Sequence, residues 1–238
     1  MSNPYGLPII DNCLVCQLRS DRFFCNLPRG SLEAFDRIKH ANSYPKGAVL
    51  FLEGQKPRGV YMLCAGQVKL SATGRDGRSI ILRIAKPGEL LGLHATVSNQ
   101  PYGLTAETLE PSQVNHVGAA DFMKFLQEHG DACLRVAEHL SQNYHSACDT
   151  LRSLGLFHSI SERLASLILQ WASEGRVTKD GIQVNCSLTQ EEIAQLLGTA
   201  RESITREVGA LRKQGLISWK ASVLVIRDKA ALESLIGG

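Results

Sequence analysis

The chain has 238 residues, a formal net charge of +3 and 44% hydrophobic residues. This apolar content can build folded cores and excludes a wholly disordered protein, and the length favours two domains. No apolar run approaches the roughly 18 residues that a membrane-spanning helix needs. The first residues also lack the pattern of a secretory signal. We therefore expect a cytoplasmic protein with no membrane partner.

Proline and glycine divide the chain into two parts. All eight prolines lie at or before Pro111, and nine glycines fall between Gly47 and Gly103. Because proline breaks helix interiors, this asymmetry indicates a strand-rich front and a helix-rich back. Short β-like runs between turn residues predict a small barrel or roll over about 44–118. The runs are 48–52, 60–63, 67–71 and 79–84, with an Asp76-Gly77 hairpin signal between the last two.

A heptad spacing begins near Asp131 and predicts one long amphipathic helix. This helix could pack on its own roll or on a second copy of the chain. A break at 157–159 precedes another predicted helix over 160–173. The seam consists of Cys133, Ala137, Leu140, Tyr144, Ala147, Leu151 and Leu154.

The most specific local pattern lies between 188 and 217. Thr189 and Glu192 form a capping-box pattern before an apolar stripe, which Gly198 closes. Thr199 and Glu202 repeat the pattern and predict the start of a second helix. Two short helices that meet at a glycine turn predict a helix-turn-helix. The strand-like runs that follow, 216–219 and 223–226, predict a wing.

The outward face of the second helix carries side chains suited to DNA. Arginine can bind guanine through two hydrogen bonds, and a carboxylate can accept a hydrogen bond from the amino group of cytosine. The alternative is that Glu202 and Arg206 form only an ordinary surface pair. The residues on this face are Arg201, Glu202, Thr205, Arg206 and Arg212.

The stretch from Thr189 to Arg206 resembles the helix-turn-helix of the Crp/Fnr superfamily of bacterial transcription regulators. Its Arg-Glu-Ser-Ile-Thr-Arg sequence matches that family's recognition motif, and 44–54, 60–70 and 87–92 resemble its sensory roll. The resemblance implies an α+β fold with four parts. These are a cysteine-containing arm (1–29), a cyclic-nucleotide-binding-like β-roll (30–128), a dimerisation helix (129–156) and a winged-helix DNA-binding domain (157–238).

The resemblance also implies roles for single residues. Arg201, Glu202 and Arg206 are expected to read bases in a TGA-like half-site, Thr205 to set half-site preference, and Gln190 to contact phosphate. A homodimer would then bind a palindromic site in double-stranded DNA, with RNA polymerase as a further partner. The expected dimer interface is Ala137, Leu140, Tyr144, Leu151 and Leu154.

A cyclic nucleotide is not the expected effector. The family's nucleotide binders carry an Arg-Ser pair after the Gly-Glu-Leu stretch, and the matching positions here are Leu104 and Thr105. A desolvated phosphate without a cation is poorly compensated. Glu89 alone is weak evidence, since family members without nucleotide share it.

The cysteines indicate a different effector. Cys13, Cys16 and Cys25 lie where oxygen-sensing members of the family keep three cluster cysteines, which implies an iron–sulfur cluster. Such clusters take four thiolates. The place of the family's fourth cysteine here offers Asn115, so we expect Cys64 as the fourth ligand. His116 and Cys133 are the second and third choices for that ligand.

Several alternatives for the cysteines stay open. The three in the arm could bind zinc, form a redox thiol pair or bind nothing. The lone cysteines Cys64, Cys133, Cys148 and Cys186 could be small buried apolar residues. The chain lacks a nucleophile elbow, a P-loop and a dinucleotide fingerprint, so we do not expect an enzyme. A cysteine-based redox protein is the competing class.

Overall fold

The computed structural model describes residues 4–7, 9–16, 24–156 and 159–236. The chain divides into two compact units, Met1–Ala147 and Cys148–Gly238. The first unit contains the strands of the predicted roll, and the second contains the helix-turn-helix. The distribution of proline therefore predicts the two parts of the fold correctly.

Eight short strands form the roll of the first unit. They are β1 (His40–Tyr44), β2 (Val49–Phe51), β3 (Gly59–Ala65), β4 (Val68–Thr73), β5 (Ser79–Ala85), β6 (Leu90–Leu91), β7 (Thr105–Thr108) and β8 (Ser112–Gly118). Two antiparallel sheets result, with strand orders β1-β8-β3-β6 and β2-β7-β4-β5. All four predicted runs are strands, and the predicted hairpin joins β4 to β5. The roll begins at His40, earlier than the predicted start.

Among the described residues, two short 3-10 helices (Pro4–Gly6 and Cys13–Val15) accompany the strands, together with four α-helices. The α-helices are α1 (Arg29–Ile38), α2 (Leu93–Ser98), α3 (Ala119–Glu128) and α4 (Gly130–Leu156). Phenylalanines form the core between the arm, α1 and α3, with the rings of Phe24 and Phe35 in edge contact at 5.2 Å. Val136 and Leu140 join this core from α4. A second core between the sheets contains Phe51, whose ring stacks on Tyr102 at 4.1 Å.

The second unit is a winged helix. Its elements are α5 (Ile160–Ala172), β9 (Arg176–Thr178), β10 (Gly181–Asn185), α6 (Gln190–Leu196), α7 (Arg201–Lys213), β11 (Ile217–Lys220), β12 (Val223–Ile226) and α8 (Lys229–Ser234). The strands form one sheet in the order β11-β12-β10-β9. The predicted wing strands β11 and β12 are present, whereas the hairpin of β9 and β10 was not foreseen. Across the described part of the chain, no helix is both long and apolar enough to span a bilayer.

The two predicted capping boxes have different outcomes. At α6 the Glu192 N–H donates to the Thr189 hydroxyl at 3.2 Å, and the Thr189 N–H donates to the Glu192 carboxylate at 2.8 Å. This box is confirmed. The second box is wrong, because α7 begins at Arg201 and its N-cap is Ala200, which makes no side-chain cap. Thr199 precedes the cap by one residue, and its N–H donates to the Ala194 carbonyl oxygen instead.

Candidate cysteine pocket and DNA-binding surface

Side chains of the roll and of α1 hold the N-terminal arm in place. Gln113 accepts a hydrogen bond from the Ile10 N–H at 2.8 Å and donates one to the Ile10 carbonyl at 2.9 Å. The Cys13 N–H donates to the Asp36 carboxylate at 2.8 Å. Lys39 forms an ion pair with Asp36 at 3.1 Å and donates to the Asp11 carbonyl oxygen. These contacts fix the backbone that carries the first cysteines.

All four cysteines predicted as cluster ligands line one cavity. Three come from the arm, and Cys64 comes from the roll. The cavity is small, with a volume of about 20 Å³. The reason to consider a metal here is the four cysteine sulfurs that line the cavity, and not its volume. Thiolates are soft ligands that favour zinc and iron–sulfur clusters over hard cations. The lining residues are Ile10, Cys13, Cys16, Cys25, Leu63, Cys64 and Asn115.

A β-bulge accounts for the position of Cys64. Leu63 pairs with Val114 and Ala65 pairs with Gln113, so Cys64 is the extra residue on its strand. Cys64 packs against the core that contains the arm, whereas Leu63 belongs to the core between the sheets. The bulge interrupts the regular pairing of β3 beside the cavity.

The surroundings of Cys13 favour its neutral thiol. Burial is the largest effect and raises the pKa of Cys13 far above its ordinary value. The nearby Lys39 ammonium opposes this rise, while Asp36 and the neighbouring Cys25 and Cys64 add to it. A bound cation would reverse this balance, because metals bind the thiolate and release its proton.

The other candidate ligands do not line the cavity. The ring of His116 lies 4.8 Å from the Tyr61 ring, on the side of the strand that faces the core between the sheets. Cys133 is exposed, and its thiol donates to the Leu126 carbonyl oxygen at 3.1 Å. Among the described residues, no three Cys, His, Asp or Glu side chains are spaced to hold a single metal ion.

Three residues at or near the cavity were not predicted to contribute to the site. Gln113 anchors the arm, and Met62 places its sulfur 4.0 Å from the Cys25 sulfur. Asn115 is 1% exposed, and neither atom of its amide has a hydrogen-bond partner in the described structure. The sequence signal for Gln113 and Asn115 is two polar residues at alternate positions of one strand.

The second helix of the helix-turn-helix, α7, presents the predicted DNA-reading residues to solvent. Arg201, Glu202, Thr205 and Arg206 are all exposed, whereas the opposite face is buried in the core of the second unit. The Thr205 hydroxyl lies 2.5 Å from the Gln190 amide oxygen, to which it donates. This contact links the two helices at the surface where DNA is expected.

The long helix α4 exposes large apolar side chains. Tyr144 and Leu151 are each 70% exposed, and Leu134 is 62% exposed. Ala137 is also exposed, as a dimer seam requires. Leu140 differs, because it packs partly against the core of its own roll. Leu154 lies in the helix, but its side chain is outside the described residues.

Two family models match this chain. The cyclic nucleotide-binding domain matches residues 41–129, and the Crp-like helix-turn-helix domain matches residues 162–235. Together they span more than half of the sequence and occur in the order of the observed units. The chain belongs to the Crp/Fnr family of transcription regulators.

The relatives of this Crp/Fnr regulator carry different functional names, and one of the names includes the effector cAMP. The chain is 28% identical over 199 residues to the anaerobic regulatory protein of Bacillus subtilis, covering 83% of each. It is 25% identical over 190 residues to a CRP-like cAMP-activated global regulator of Mycobacterium tuberculosis, covering 79% of this chain and 84% of that one. A CRP-family regulator structure from Thermus thermophilus is 27% identical, with a TM-score of 0.70, and covers 83% and 97% of the two chains.

Two residues of this Crp/Fnr regulator that match nucleotide-binding positions of the family, Glu89 and Thr105, form hydrogen bonds within the roll. The Glu89 carboxylate pairs with Arg83 and accepts the Lys86 N–H at 2.7 Å. The Thr105 hydroxyl accepts the Glu53 N–H at 3.1 Å. Both carboxylate oxygens of Glu89 therefore already accept a hydrogen bond from within the roll.

Proposed function

We propose that this Crp/Fnr regulator is a cytoplasmic homodimer whose DNA binding is controlled by an iron–sulfur cluster on Cys13, Cys16, Cys25 and Cys64. The observation that carries the proposal is the common cavity of these four cysteines. Cys25 and Cys64 belong to segments that are distant in sequence, yet both lie close enough to Cys13 to affect its pKa. Four sulfur donors at one cavity are the ligand set that such a cluster takes.

The chain contributes more than the four ligands. Asp36 and Lys39 hold the backbone at Cys13, and Met62 lies against Cys25. When bound, the cluster would supply a centre that is sensitive to oxygen or nitric oxide. The residues around it would exclude water, since the cavity lining is almost entirely apolar apart from sulfur and one amide.

The core of the first unit offers a route from the cysteines to α4. Cys13 and Met62 belong to the same packed cluster as Val136, and Cys25, Cys64 and Leu140 pack against that cluster. A change in how the arm is held would therefore alter the packing of the roll against the helix. We infer that this change shifts the regulator between two DNA-binding states.

The exposed face of α4 supports the homodimer. Leu134, Tyr144 and Leu151 place large apolar area in water, which is costly for a helix that remains alone. A second copy of the chain would cover it with two-fold symmetry. Two recognition helices related in this way would read half-sites about one turn of DNA apart.

The test of the cluster is purification without oxygen. We expect brown protein that contains iron and sulfide, bleaches in air and changes its DNA binding when it does so. Serine at position 13, 16, 25 or 64 should lower the iron content, whereas Cys133→Ser and Cys186→Ser should not. Colourless protein after cluster reconstitution, with zinc or without metal, would overturn the proposal.

A further inference from the structure

Asn115 is a buried polar residue whose amide is not satisfied by the described protein. Its side chain is 1% exposed, and both Oδ1 and Nδ2 are without hydrogen-bond partners there. Buried amides in native proteins are almost always paired, so each exception requires an explanation. Asn115 lines the same cavity as the four cysteines, so that cavity is the place where its amide could find a partner.

The position of Asn115 on its strand directs the amide to this cavity. Side chains on a strand alternate between two faces, and Gln113 and Asn115 share one of them. Gln113 is satisfied by the arm backbone at Ile10. The residues paired with Asn115 on the neighbouring strands are Ala41 and Met62, and neither side chain can satisfy a primary amide.

A group that the cavity receives would supply the missing partner of the amide. An amide oxygen is a hard donor, which suits iron–sulfur sites less well than thiolate does. The Nδ2 group is a hydrogen-bond donor, and an anionic sulfur in a buried site is a strong hydrogen-bond acceptor. Hydrogen bonds to sulfur are one of the features that set the reduction potential of a cluster.

We propose that the Asn115 amide donates a hydrogen bond to an anionic sulfur of the centre held by Cys13, Cys16, Cys25 and Cys64. This inference rests on the proposed function. Asn115 acts as a positioning residue and not as a ligand. Its donor stabilises negative charge on the centre, so it favours the reduced form.

The test compares wild type with Asn115→Leu in protein prepared without oxygen. Leucine has a similar size and cannot donate. We expect Asn115→Leu to bind iron. At a fixed solution potential, its ratio of reduced to oxidised cluster should be about three- to tenfold lower than in wild type, because a hydrogen bond to a charged group is lost. His116→Gln is the matched control, since it changes the neighbouring residue on the other face of the strand.

A second pair of variants tests whether Asn115 faces the same centre as Cys64. Cys64→Ser should lose iron, and adding Asn115→Cys should restore iron and the visible spectrum, because the new thiol lines the same cavity. Iron-containing Asn115→Leu with a wild-type potential overturns this inference and leaves the cluster proposal standing. Failure of the double variant to regain iron counts against the shared position. Wild-type protein without iron overturns both proposals.

Discussion

Gln113 in strand β8 and Ile10 in the N-terminal arm exchange two hydrogen bonds although 103 residues separate them. The amide oxygen accepts the Ile10 N–H at 2.8 Å, and the amide nitrogen donates to the Ile10 carbonyl at 2.9 Å. One side chain thus pairs with the arm as a neighbouring strand would. This explains how an uncharged polar residue can be fully buried beside an apolar cavity.

Gln113→Leu should release the arm from the roll. The change removes both hydrogen bonds while keeping an apolar side chain of similar size, and we expect a loss of about 1–3 kcal/mol in arm docking. Hydrogen exchange at Ile10 should become faster. Gln127→Leu, at an exposed position of α3, is the control. Unchanged exchange in Gln113→Leu would show that the arm is held by other contacts.

The sequence predicts the fold well because the strongest signals are local. Turn residues around short apolar runs identify four strands of the roll, and the Thr189 capping box defines the start of α6. The long strand β8 was missed, since its polar residues Gln113 and Asn115 obscure the alternation of a buried strand. Their burial depends on the arm and the cysteines, which are distant in sequence.

The face of the long helix shows a second limit of sequence reasoning. A heptad seam does not reveal whether it contacts the roll or solvent, and here its residues divide between the two. Leu140 packs towards its own core, while Tyr144 is exposed. Leu134 lies next to the predicted seam and is exposed. Which side chains of α4 face solvent depends on how the roll covers part of the helix, and the spacing of apolar residues does not contain that information.

We expect the double variant Tyr144→Glu, Leu151→Glu to be monomeric. Each glutamate would face the same charge on a second copy in a two-fold interface, and like charges without partners are costly to bury. Light scattering at micromolar concentration measures the mass. Val177→Glu is the control, since Val177 is 80% exposed on β9. A monomeric wild type, or a dimeric double variant, would contradict the predicted interface.

Arg206→Ala should weaken specific DNA binding by about 1–3 kcal/mol per half-site, the value of one bidentate base contact. Arg206 is exposed on α7, with its guanidinium 3.3 Å from the Ser203 hydroxyl. Binding to random DNA should change far less, because phosphate contacts dominate it. Arg29→Ala, an exposed arginine of α1, is the control. An equal loss on every sequence would identify Arg206 as a phosphate contact instead.

Ala221→Gly should stabilise the wing. Ala221 lies at the tip between β11 and β12 with φ of 49°, a left-handed conformation that disfavours a Cβ atom. Glycine adopts it without this penalty, so we expect a gain of about 1 kcal/mol in the free energy of unfolding. Ala210→Gly, at an exposed site within α7, should instead cost about 1 kcal/mol. Denaturant unfolding measures both changes, and a destabilised Ala221→Gly would show that the tip tolerates alanine.

The stability of the metal-free protein should fall as the pH drops below 6.5. His139 is 2% exposed, and its Nε2 lies 3.2 Å from the Leu90 carbonyl oxygen. Burial lowers the pKa of His139, an effect that Glu89 opposes and Arg83 reinforces. Below the ordinary histidine pKa, the unfolded chain therefore binds a proton that the folded chain does not. Unfolding then becomes more favourable as the pH falls, by up to about 1.4 kcal/mol per pH unit for one proton.

His139→Gln should reduce this dependence on pH. Burial also lowers the pKa of His116, so part of the slope should remain in the single variant and disappear in the double variant with His116→Gln. Denaturant unfolding at several pH values between 5 and 8 gives the slope for each protein. The stability of His139→Gln should be lower than that of wild type at pH 8, where the buried neutral imidazole contributes fully, and closer to it at pH 5. If the two proteins keep the same slope below pH 6.5, His139 already carries its proton in the folded state.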